Sequence, residues 1–195
     1  MKKKILIIIV VISSMFLYIP VNRLMTGGYN TEISFDQYIP LIPIFVVPYL
    51  LGIIFWFFSI IFINLKGSPK AVRQFNLMII SAGILSVLIY IFVPTFIIRP
   101  EVASSDVFSA ILNLVYANDR VYNAAPSGHT FYTVICFLNL YKLLPNQRVL
   151  WAIISILIIS STVLTKQHNI LDIVFGMIFA LGIYFLGKIY SSVIQ

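Results

Sequence analysis

Long apolar stretches dominate this sequence, and six of them approach the length of a membrane-spanning helix. A helix needs about 20 mostly apolar residues to cross the hydrocarbon core of a bilayer. Hydrophobic residues make up 61% of the 195 residues and charged residues 10%, whereas a soluble domain is about 25% charged. One soluble core in a chain of this length cannot bury so much apolar surface. The sequence therefore predicts an all-α membrane protein and excludes a soluble domain with a charged surface.

The apolar stretches predict a bundle of six transmembrane helices that forms a single domain over residues 1–195. The spans are expected at 5–21, 41–64, 77–98, 129–144, 149–165 and 171–190. Proline removes a helix hydrogen bond, so we expect Pro48 to kink the second span. Three lysines precede the first span, as in a secretory signal peptide. Since Val21 and Arg23 do not fit a small-residue cleavage site, we expect this segment to stay as a span.

The distribution of charge predicts the orientation of these helices. Short cytoplasmic loops are rich in Lys and Arg. With the N-terminus inside, nine of the 13 cations are cytoplasmic: Lys2, Lys3, Lys4, Lys66, Lys70, Arg73, Lys142, Arg148 and Lys188. The other four share the outer side with all six acids: Arg23, Arg99, Arg120 and Lys166, with Glu32, Asp36, Glu101, Asp106, Asp119 and Asp172. Both termini are therefore expected in the cytoplasm, and the net charge of +7 indicates membrane orientation and no nucleic-acid partner.

Two outer connections and the single cysteine complete the predicted layout. Residues 22–40 are expected to lie in the headgroup region, with their aromatic side chains as anchors. The connection at 99–128 is long, and long loops in compact domains are often functional. Cys136 has no second cysteine to pair with, and its apolar neighbours predict a small residue of the core.

Both histidines of the chain are predicted at the same outer depth of the membrane. His129 begins the fourth span, and His168 follows the fifth span, four residues before Asp172. If the last helix begins near His168, that spacing puts His168 and Asp172 on one helix face. Arg99 ends the third span. Ionisable groups at the edge of a bilayer are costly and usually functional, so this convergence predicts a site.

These residue types suit phosphoryl transfer. The free N–H groups of a helix that starts at Ser127 and Gly128 form an anion site, and Gly128 allows close approach. Arg99 offers a planar fork for phosphate oxygens. A histidine oriented by a carboxylate is a nucleophile, and a second histidine can protonate a leaving alkoxide. A phosphohistidine route uses all of these groups and needs no metal or cofactor.

Each signal also has a structural interpretation when taken alone. His168 with Asp172 is a pair that caps helices routinely, and His129 at an interface is often only a structural residue. Arg99 is at a depth where arginine side chains reach headgroups. The tetrapeptide Pro126-Ser127-Gly128-His129 is more specific, with a chance occurrence on the order of one in a thousand. The three motifs together, in this order and on one side, favour chemistry.

At this point the sequence resembles the type 2 phosphatidic acid phosphatase family, which comprises integral-membrane lipid phosphatases and phosphotransferases with six spans. The family pattern is Lys, six residues, Arg-Pro; then Pro-Ser-Gly-His; then Ser-Arg, five residues, His, three residues, Asp. The matching residues are Arg99-Pro100, Pro126-Ser127-Gly128-His129, and His168 with Asp172. The resemblance implies that His168 is the nucleophile, Asp172 its orienting partner and His129 the general acid. It implies that Arg99, Ser127 and the N–H of Gly128 hold the phosphate.

Two cations of that pattern are missing. Phe92 stands where the family has Lys, and Thr162 stands where it has Arg. Lys166 and Arg120 lie on the outer side and are candidates to replace them, with an interfacial anchor as the alternative for Lys166. The segment from Ser161 to His168 is similar to the third motif of the inositol phosphorylceramide synthase branch, in which Thr-Lys closely precedes the His.

Three functions follow as hypotheses. The first is a metal-independent phosphatase that hydrolyses a phosphate or pyrophosphate monoester of a lipid at the outer face of the cell membrane. The second is a transferase of the same fold, which passes a phosphoryl headgroup from His168 to an alcohol. The third is a membrane protein that binds or transports lipids without catalysis, for which the missing cations at Phe92 and Thr162 are the best support.

Overall fold

The computed structural model describes residues 2–103 and 106–193, and most of them are helical. The helices are α1 (Lys2–Met15), α2 (Tyr18–Leu24), α3 (Val46–Lys66), α4 (Pro69–Phe92), α5 (Val107–Asn118), α6 (Gly128–Leu143), α7 (Arg148–Leu164) and α8 (Ile170–Val193). Single turns of 3₁₀ helix occupy Ser34–Tyr38, Pro43–Phe45 and Pro145–Gln147. Two short strands, β1 (Tyr29–Asn30) and β2 (Thr95–Phe96), pair in parallel. The prediction of a helical architecture is confirmed.

Five helical segments are long and apolar enough to cross a membrane, judged by length and composition. They are Lys4–Leu24, Pro43–Lys66, Pro69–Phe92, Pro145–Leu164 and Ile170–Ile189. The first combines α1 and α2. The predicted fourth span corresponds to α6, which has 16 residues and is not among the five. A helix of that length measures about 24 Å, which is less than the hydrocarbon thickness of about 30 Å.

Helix α6 lies at the centre of the bundle, where it packs against α3, α4, α7 and α8. Its inward-facing side chains Phe131, Ile135 and Leu140 are almost completely buried. Cys136 is also fully buried with a free thiol, which confirms its predicted place in the core. Polar side chains in a membrane protein normally face the interior of the bundle and not the lipid. Because α6 is surrounded by four helices, it can carry a more polar sequence than the helices that face lipid.

The outer surface of the bundle is apolar, as a lipid-facing surface must be. Ile54 is 62% exposed, Ile156 is 63% exposed and Ile178 is 61% exposed, on three different helices. Exposed apolar area on this scale is unusual for a soluble monomer and typical of an interaction with a membrane or a partner. The arrangement therefore supports the reading of the chain as an integral membrane protein.

The third predicted span, 77–98, was wrong at both ends because α4 covers Pro69–Phe92. Its start is fixed by Ser68, whose Oγ accepts a hydrogen bond from the N–H of Ala71 at 3.3 Å. The first turns of α4 contain polar residues, so a count of apolar residues places the start of the helix too late. Its end precedes Pro94, which has no N–H to donate and whose carbonyl accepts a bond from Tyr29 at 2.9 Å.

Two further expectations differ from the structure. Pro48 is the third residue of α3, so it lies in the first turn and not in the interior of the span, and α3 runs unbroken to Lys66. In the first turn of a helix, N–H groups have no helical partner to lose. The long connection at 99–128 contains the helix α5, which Asp106 caps through hydrogen bonds from the N–H groups of Phe108 and Ser109.

The segment 22–40 is tied to the bundle by one buried carboxylate. Asp36 is 5% exposed, and its Oδ1 accepts a hydrogen bond of 2.8 Å from the N–H of Ile170, the first residue of α8. Its Oδ2 accepts a bond of 2.9 Å from the N–H of Ile33. Phe35 and Tyr38 remain exposed beside it, so anchoring by aromatic side chains is compatible with this conformation. The segment thus stabilises the start of α8, where the predicted site lies.

Candidate active site

The start of α6 and the start of α8 are joined at one end of the bundle. Ser127 is the N-cap of α6, and its Oγ accepts a hydrogen bond from the N–H of Thr130 at 3.3 Å. The N–H of Ser127 donates to the carbonyl of Asp172 at 3.0 Å. Ser127 is fully buried, so its hydroxyl serves the helix start in this conformation. The first N–H groups of α6 belong to a helix N-terminus, which attracts anions.

His168 and Asp172 meet as their spacing predicts. The Nδ1 of His168 lies 3.3 Å from the Oδ2 of Asp172, which is completely buried. The helix begins at Ile170, one residue before the predicted span and two residues after His168, and the pair still forms. The same carboxylate oxygen accepts a hydrogen bond of 2.8 Å from the N–H of Asn169. Since Nδ1 faces the carboxylate, the Nε2 of His168 is left to act on a substrate.

His129 is held by two aromatic rings from α3. The ring of Tyr49 stacks on it with centroids 3.9 Å apart, and the ring of Trp56 meets it edge-on at 4.7 Å. Trp56 is itself oriented by a hydrogen bond from its Nε1 to the Oγ1 of Thr133, at 2.9 Å. The Nε2 of His129 is buried and has no hydrogen-bond partner in the described part of the chain. A buried ring nitrogen without a protein partner is free to form a hydrogen bond with a ligand.

Arg99 is folded back on three acceptors. Its Nη1 donates to the carbonyl of Asp119 at 2.6 Å, and its Nη2 donates to the carbonyl of Arg120 at 3.4 Å and to the Oε1 of Gln167 at 2.5 Å. The guanidinium also lies over the ring of Tyr116, 4.8 Å from its centroid. Burial lowers the pKa of Arg99 below its ordinary value, and the nearby Asp119 acts in the opposite direction. Arg99 therefore stays a cation whose Nε has no partner among the described residues.

These groups line one cavity of about 110 Å³. Its polar wall consists of Arg99, Asp119, Arg120, Gly128, His129, Gln167 and His168. Apolar side chains of α1 and α3, such as Met15 and Ile53, line the other wall. This volume has room for several water molecules or a phosphate headgroup. The acyl chains of a lipid would therefore remain outside the polar part of the cavity.

Some predicted site residues lie elsewhere. Lys166 is not part of the cavity lining, and its Nζ donates to the carbonyl of Asp36 at 2.8 Å. Arg120 lines the cavity, but its Nη1 donates to the carbonyl of Arg23 at 2.6 Å. Asp172 lies behind His168, away from the lining. The replacement of missing cations by Lys166 and Arg120 stays a prediction, and in this conformation both are engaged with backbone carbonyls.

Gln167 and Asp119 line the cavity, and the sequence did not identify either as a site residue. Gln167 is 2% exposed, and its Nε2 has no partner within the described residues. Its position directly before His168 is the sequence feature that could have identified Gln167 as a site residue. Asp119 follows α5, and burial raises the pKa of its carboxyl above the ordinary value, while Arg99 and His168 act in the opposite direction. No local pattern marks Asp119, because its neighbours in the cavity are distant in sequence.

The positions of the missing cations lie outside the cavity lining, although the carbonyl of Thr162 accepts a hydrogen bond of 3.0 Å from the N–H of His168. Phe92 is 78% exposed at the end of α4, and Thr162 is fully buried with its Oγ1 donating to the carbonyl of Ile159 at 2.7 Å. Neither residue is part of the cavity lining. Among the described residues, no three His, Cys, Asp or Glu side chains cluster as metal ligands would. The expectation of chemistry without a metal stays a prediction.

Restoring the missing lysine by Phe92→Lys is expected to leave lipid turnover within about twofold of wild type. The side chain at this position is exposed, and exposed substitutions away from a site change free energies by only about 0.5 kcal/mol. Initial rates of phosphate release from lipid vesicles would measure this. A rise of tenfold or more would contradict it, because it would show that a cation at position 92 reaches the phosphate.

Comparison with known proteins agrees with this geometry. A family model described as the PAP2 superfamily matches residues 33–186, which include every residue of the three motifs. A search of curated proteins found no match. The matched region begins beside the 3₁₀ turn that holds Asp36 and ends within α8, so it contains all of the cavity lining except Met15, Phe16, Tyr18 and Asn22. The chain therefore belongs to the PAP2 superfamily, whose members are generally phosphatases or phosphotransferases.

Proposed function

We propose that this chain is an integral-membrane lipid phosphatase that forms a phosphohistidine at His168 and needs no metal ion. Its substrate is a phosphate or pyrophosphate monoester of a lipid. One observation supports this most strongly: His168, oriented by Asp172, lines the same cavity as the free Nε2 of His129 and the cation of Arg99. Nucleophile, acid and anion site are thus present together.

The proposed reaction has two steps. The Nε2 of His168 attacks phosphorus, the bond between phosphorus and the lipid oxygen breaks, and His129 gives a proton to the leaving oxygen. Water then attacks phosphorus, the bond to His168 breaks, and the proton of that water returns to His129. Asp172 stabilises the charged imidazole, and the N–H of Gly128 with the free Nε of Arg99 holds the phosphate oxygens.

We also propose the membrane placement of the site. In this arrangement α6 is the fourth of six spans, both termini are cytoplasmic, and the cavity faces the outside of the cell membrane. Support comes from the nine cations that fall on one side and from the enclosed position of α6. An enclosed helix at the level of the cavity does not have to match the full thickness of the bilayer.

Cysteine labelling tests this orientation. Glu101 and Asn146 are exposed at opposite ends of the bundle, and Cys136 is buried and can be replaced by alanine. In a Cys136→Ala background, Glu101→Cys is expected to react with an impermeant maleimide on intact cells, whereas Asn146→Cys should react only after permeabilisation. The reverse labelling pattern would show that the orientation is wrong.

Turnover of lipids by the purified protein in detergent tests the activity. We expect release of phosphate from at least one lipid phosphate or pyrophosphate in the presence of a metal chelator. A parallel reaction with an added alcohol distinguishes hydrolysis from transfer, since water and alcohol would attack the same intermediate. No turnover of any lipid, with saturable lipid binding, would favour the non-catalytic alternative.

Transfer of a phosphoryl headgroup, as in the inositol phosphorylceramide synthase branch, is the second candidate. The charge of the cavity favours it. Arg99 and Arg120 line the cavity, whereas Phe92, Thr162 and Lys166 do not, and Arg120 is engaged with the carbonyl of Arg23. A phosphate monoester carries nearly two negative charges at neutral pH and a diester carries one, so a site with fewer cations suits the diester better.

A further inference from the structure

Asp119 is a carboxylate in a cavity that is otherwise suited to an anion. It lines the same cavity as Arg99, His129 and His168. Within residues 2–103 and 106–193, no hydrogen bond and no ion pair within 4 Å holds its carboxylate oxygens. The backbone carbonyl of Asp119 is occupied by Arg99, but the side chain is not. A carboxylate in this setting needs a positively charged partner to offset the loss of its hydration.

The formal charges of the site residues support the same conclusion. Of the charged side chains that line the cavity, Arg99 and Arg120 are positive and Asp119 is negative. The carboxylate of Asp119 repels a dianionic monoester more strongly than a phosphodiester with one charge, and it attracts an ammonium group. A zwitterion with one phosphate charge and one ammonium charge therefore matches both Arg99 and Asp119.

The positions of the charges match a short zwitterion. The guanidinium of Arg99 touches the carbonyl of Asp119 itself, so the anion-binding and cation-binding groups are adjacent. In an amino-alcohol headgroup only two carbons separate the phosphate oxygen from the nitrogen. Tyr18 lines the same cavity, and aromatic rings favour alkylammonium ions.

We propose that Asp119 binds the ammonium group of a zwitterionic phospholipid and thereby selects phosphodiesters of amino alcohols over phosphate monoesters. This inference rests on the proposed phosphohistidine at His168 and on the second candidate function, headgroup transfer, and it names a phosphodiester in place of the monoester of the first candidate. Gln167 supports it, because its buried and unpartnered Nε2 is a neutral donor for a phosphate oxygen next to Arg99. A neutral donor binds phosphate without adding the charge that a monoester requires.

In this reaction Asp119 takes no part in bond changes. The Nε2 of His168 attacks phosphorus, the bond from phosphorus to the glycerol oxygen breaks, and diacylglycerol leaves with a proton from His129. The phosphorylated headgroup stays on His168 with its ammonium on Asp119. A water or alcohol hydroxyl then attacks phosphorus, the bond to His168 breaks, and the hydroxyl proton returns to His129.

The test compares three lipids with identical acyl chains: phosphatidic acid, phosphatidylglycerol and phosphatidylcholine. All three release diacylglycerol, so one assay measures them with wild-type protein, Asp119→Asn and the control Glu101→Gln. Glu101 is exposed in the same connection, and its replacement removes the same charge. We expect wild type to favour phosphatidylcholine. Asp119→Asn should lose about tenfold or more on phosphatidylcholine and less than about threefold on phosphatidylglycerol, with Glu101→Gln unchanged.

Binding of short-chain analogues to His168→Ala gives a second readout that does not depend on turnover. The choline lipid should bind more tightly than the glycerol lipid, and addition of Asp119→Asn should remove the difference. A binding preference without turnover in wild type would support this inference and overturn the proposed function. Turnover without any choline preference, or an equal loss on all three lipids in Asp119→Asn, would overturn this inference and leave the phosphohistidine function intact.

Discussion

Replacement of His168 by alanine is expected to reduce turnover of every lipid substrate at least about ten-thousandfold, because the residue forms the covalent intermediate. The Nε2 of His168 is the nucleophile, and its Nδ1 is held by Asp172 at 3.3 Å. No other histidine replaces it, since His129 is the only other one in the chain and is enclosed by the rings of Tyr49 and Trp56. Diacylglycerol or phosphate release, measured beside wild type, tests the expectation.

A labelling experiment separates a lost nucleophile from a misfolded protein. With a ³²P-labelled lipid, wild type should acquire an acid-labile label on histidine, and His168→Ala should acquire none. His129→Ala serves as the matched histidine variant: it keeps the nucleophile, so it should still acquire the label but lose it more slowly. Equal turnover by wild type and His168→Ala on a broad set of lipids would refute the enzymatic reading.

The sequence predicts the helices well because apolar length is a local property. Helices α6, α7 and α8 begin within one residue of the predicted spans at 129, 149 and 171. The ends of α4 were missed because capping by Ser68 and pairing of β2 with β1 decide them. Helix α5 was missed because the search followed apolar runs of spanning length, and a helix of 12 residues capped by Asp106 is too short for that.

The motif residues were also predictable, but their partners were not. The spacing of four residues gave the pair of His168 and Asp172, although the helix begins only at Ile170. The tetrapeptide at 126–129 gave a helix start, with Ser127 as its cap. By contrast, the contact of Lys166 with the carbonyl of Asp36 joins residues 130 positions apart. No local pattern encodes such a contact.

The same reason explains the composition of the cavity. Trp56, Asp119 and Gln167 come from α3, from the end of α5 and from the segment after α7, and only the folded bundle brings them together. A carboxylate is moreover unexpected beside a phosphate site, so chemical reasoning from motifs does not suggest Asp119. The sequence therefore identified the residues that are proposed to react, but it did not identify the residues that are proposed to determine specificity.

Replacement of Asp172 by asparagine is expected to reduce kcat by about 10²–10⁴-fold with little change in KM, by analogy with other carboxylates that orient a catalytic histidine. Asp172 does not line the cavity, so it acts through His168 and is a positioning residue. Asparagine preserves its volume and keeps an oxygen for the N–H of Asn169. What it loses is the negative charge that favours the charged imidazole of the intermediate. Steady-state kinetics on a single lipid measures both constants.

Thermal stability in detergent distinguishes this role from a structural one. Asp172 is completely buried, and its Oδ1 has no hydrogen-bond partner in the described part of the chain. Burial of an incompletely paired charge is costly, so Asp172→Asn is expected to keep or raise the melting temperature while activity falls. The link from α6 to α8 survives, because Ser127 donates to the backbone carbonyl of residue 172 and not to its side chain. A fall in melting temperature that parallels the loss of kcat would show instead that the carboxylate holds the two helix starts together, and that His168 loses activity only because its surroundings unfold.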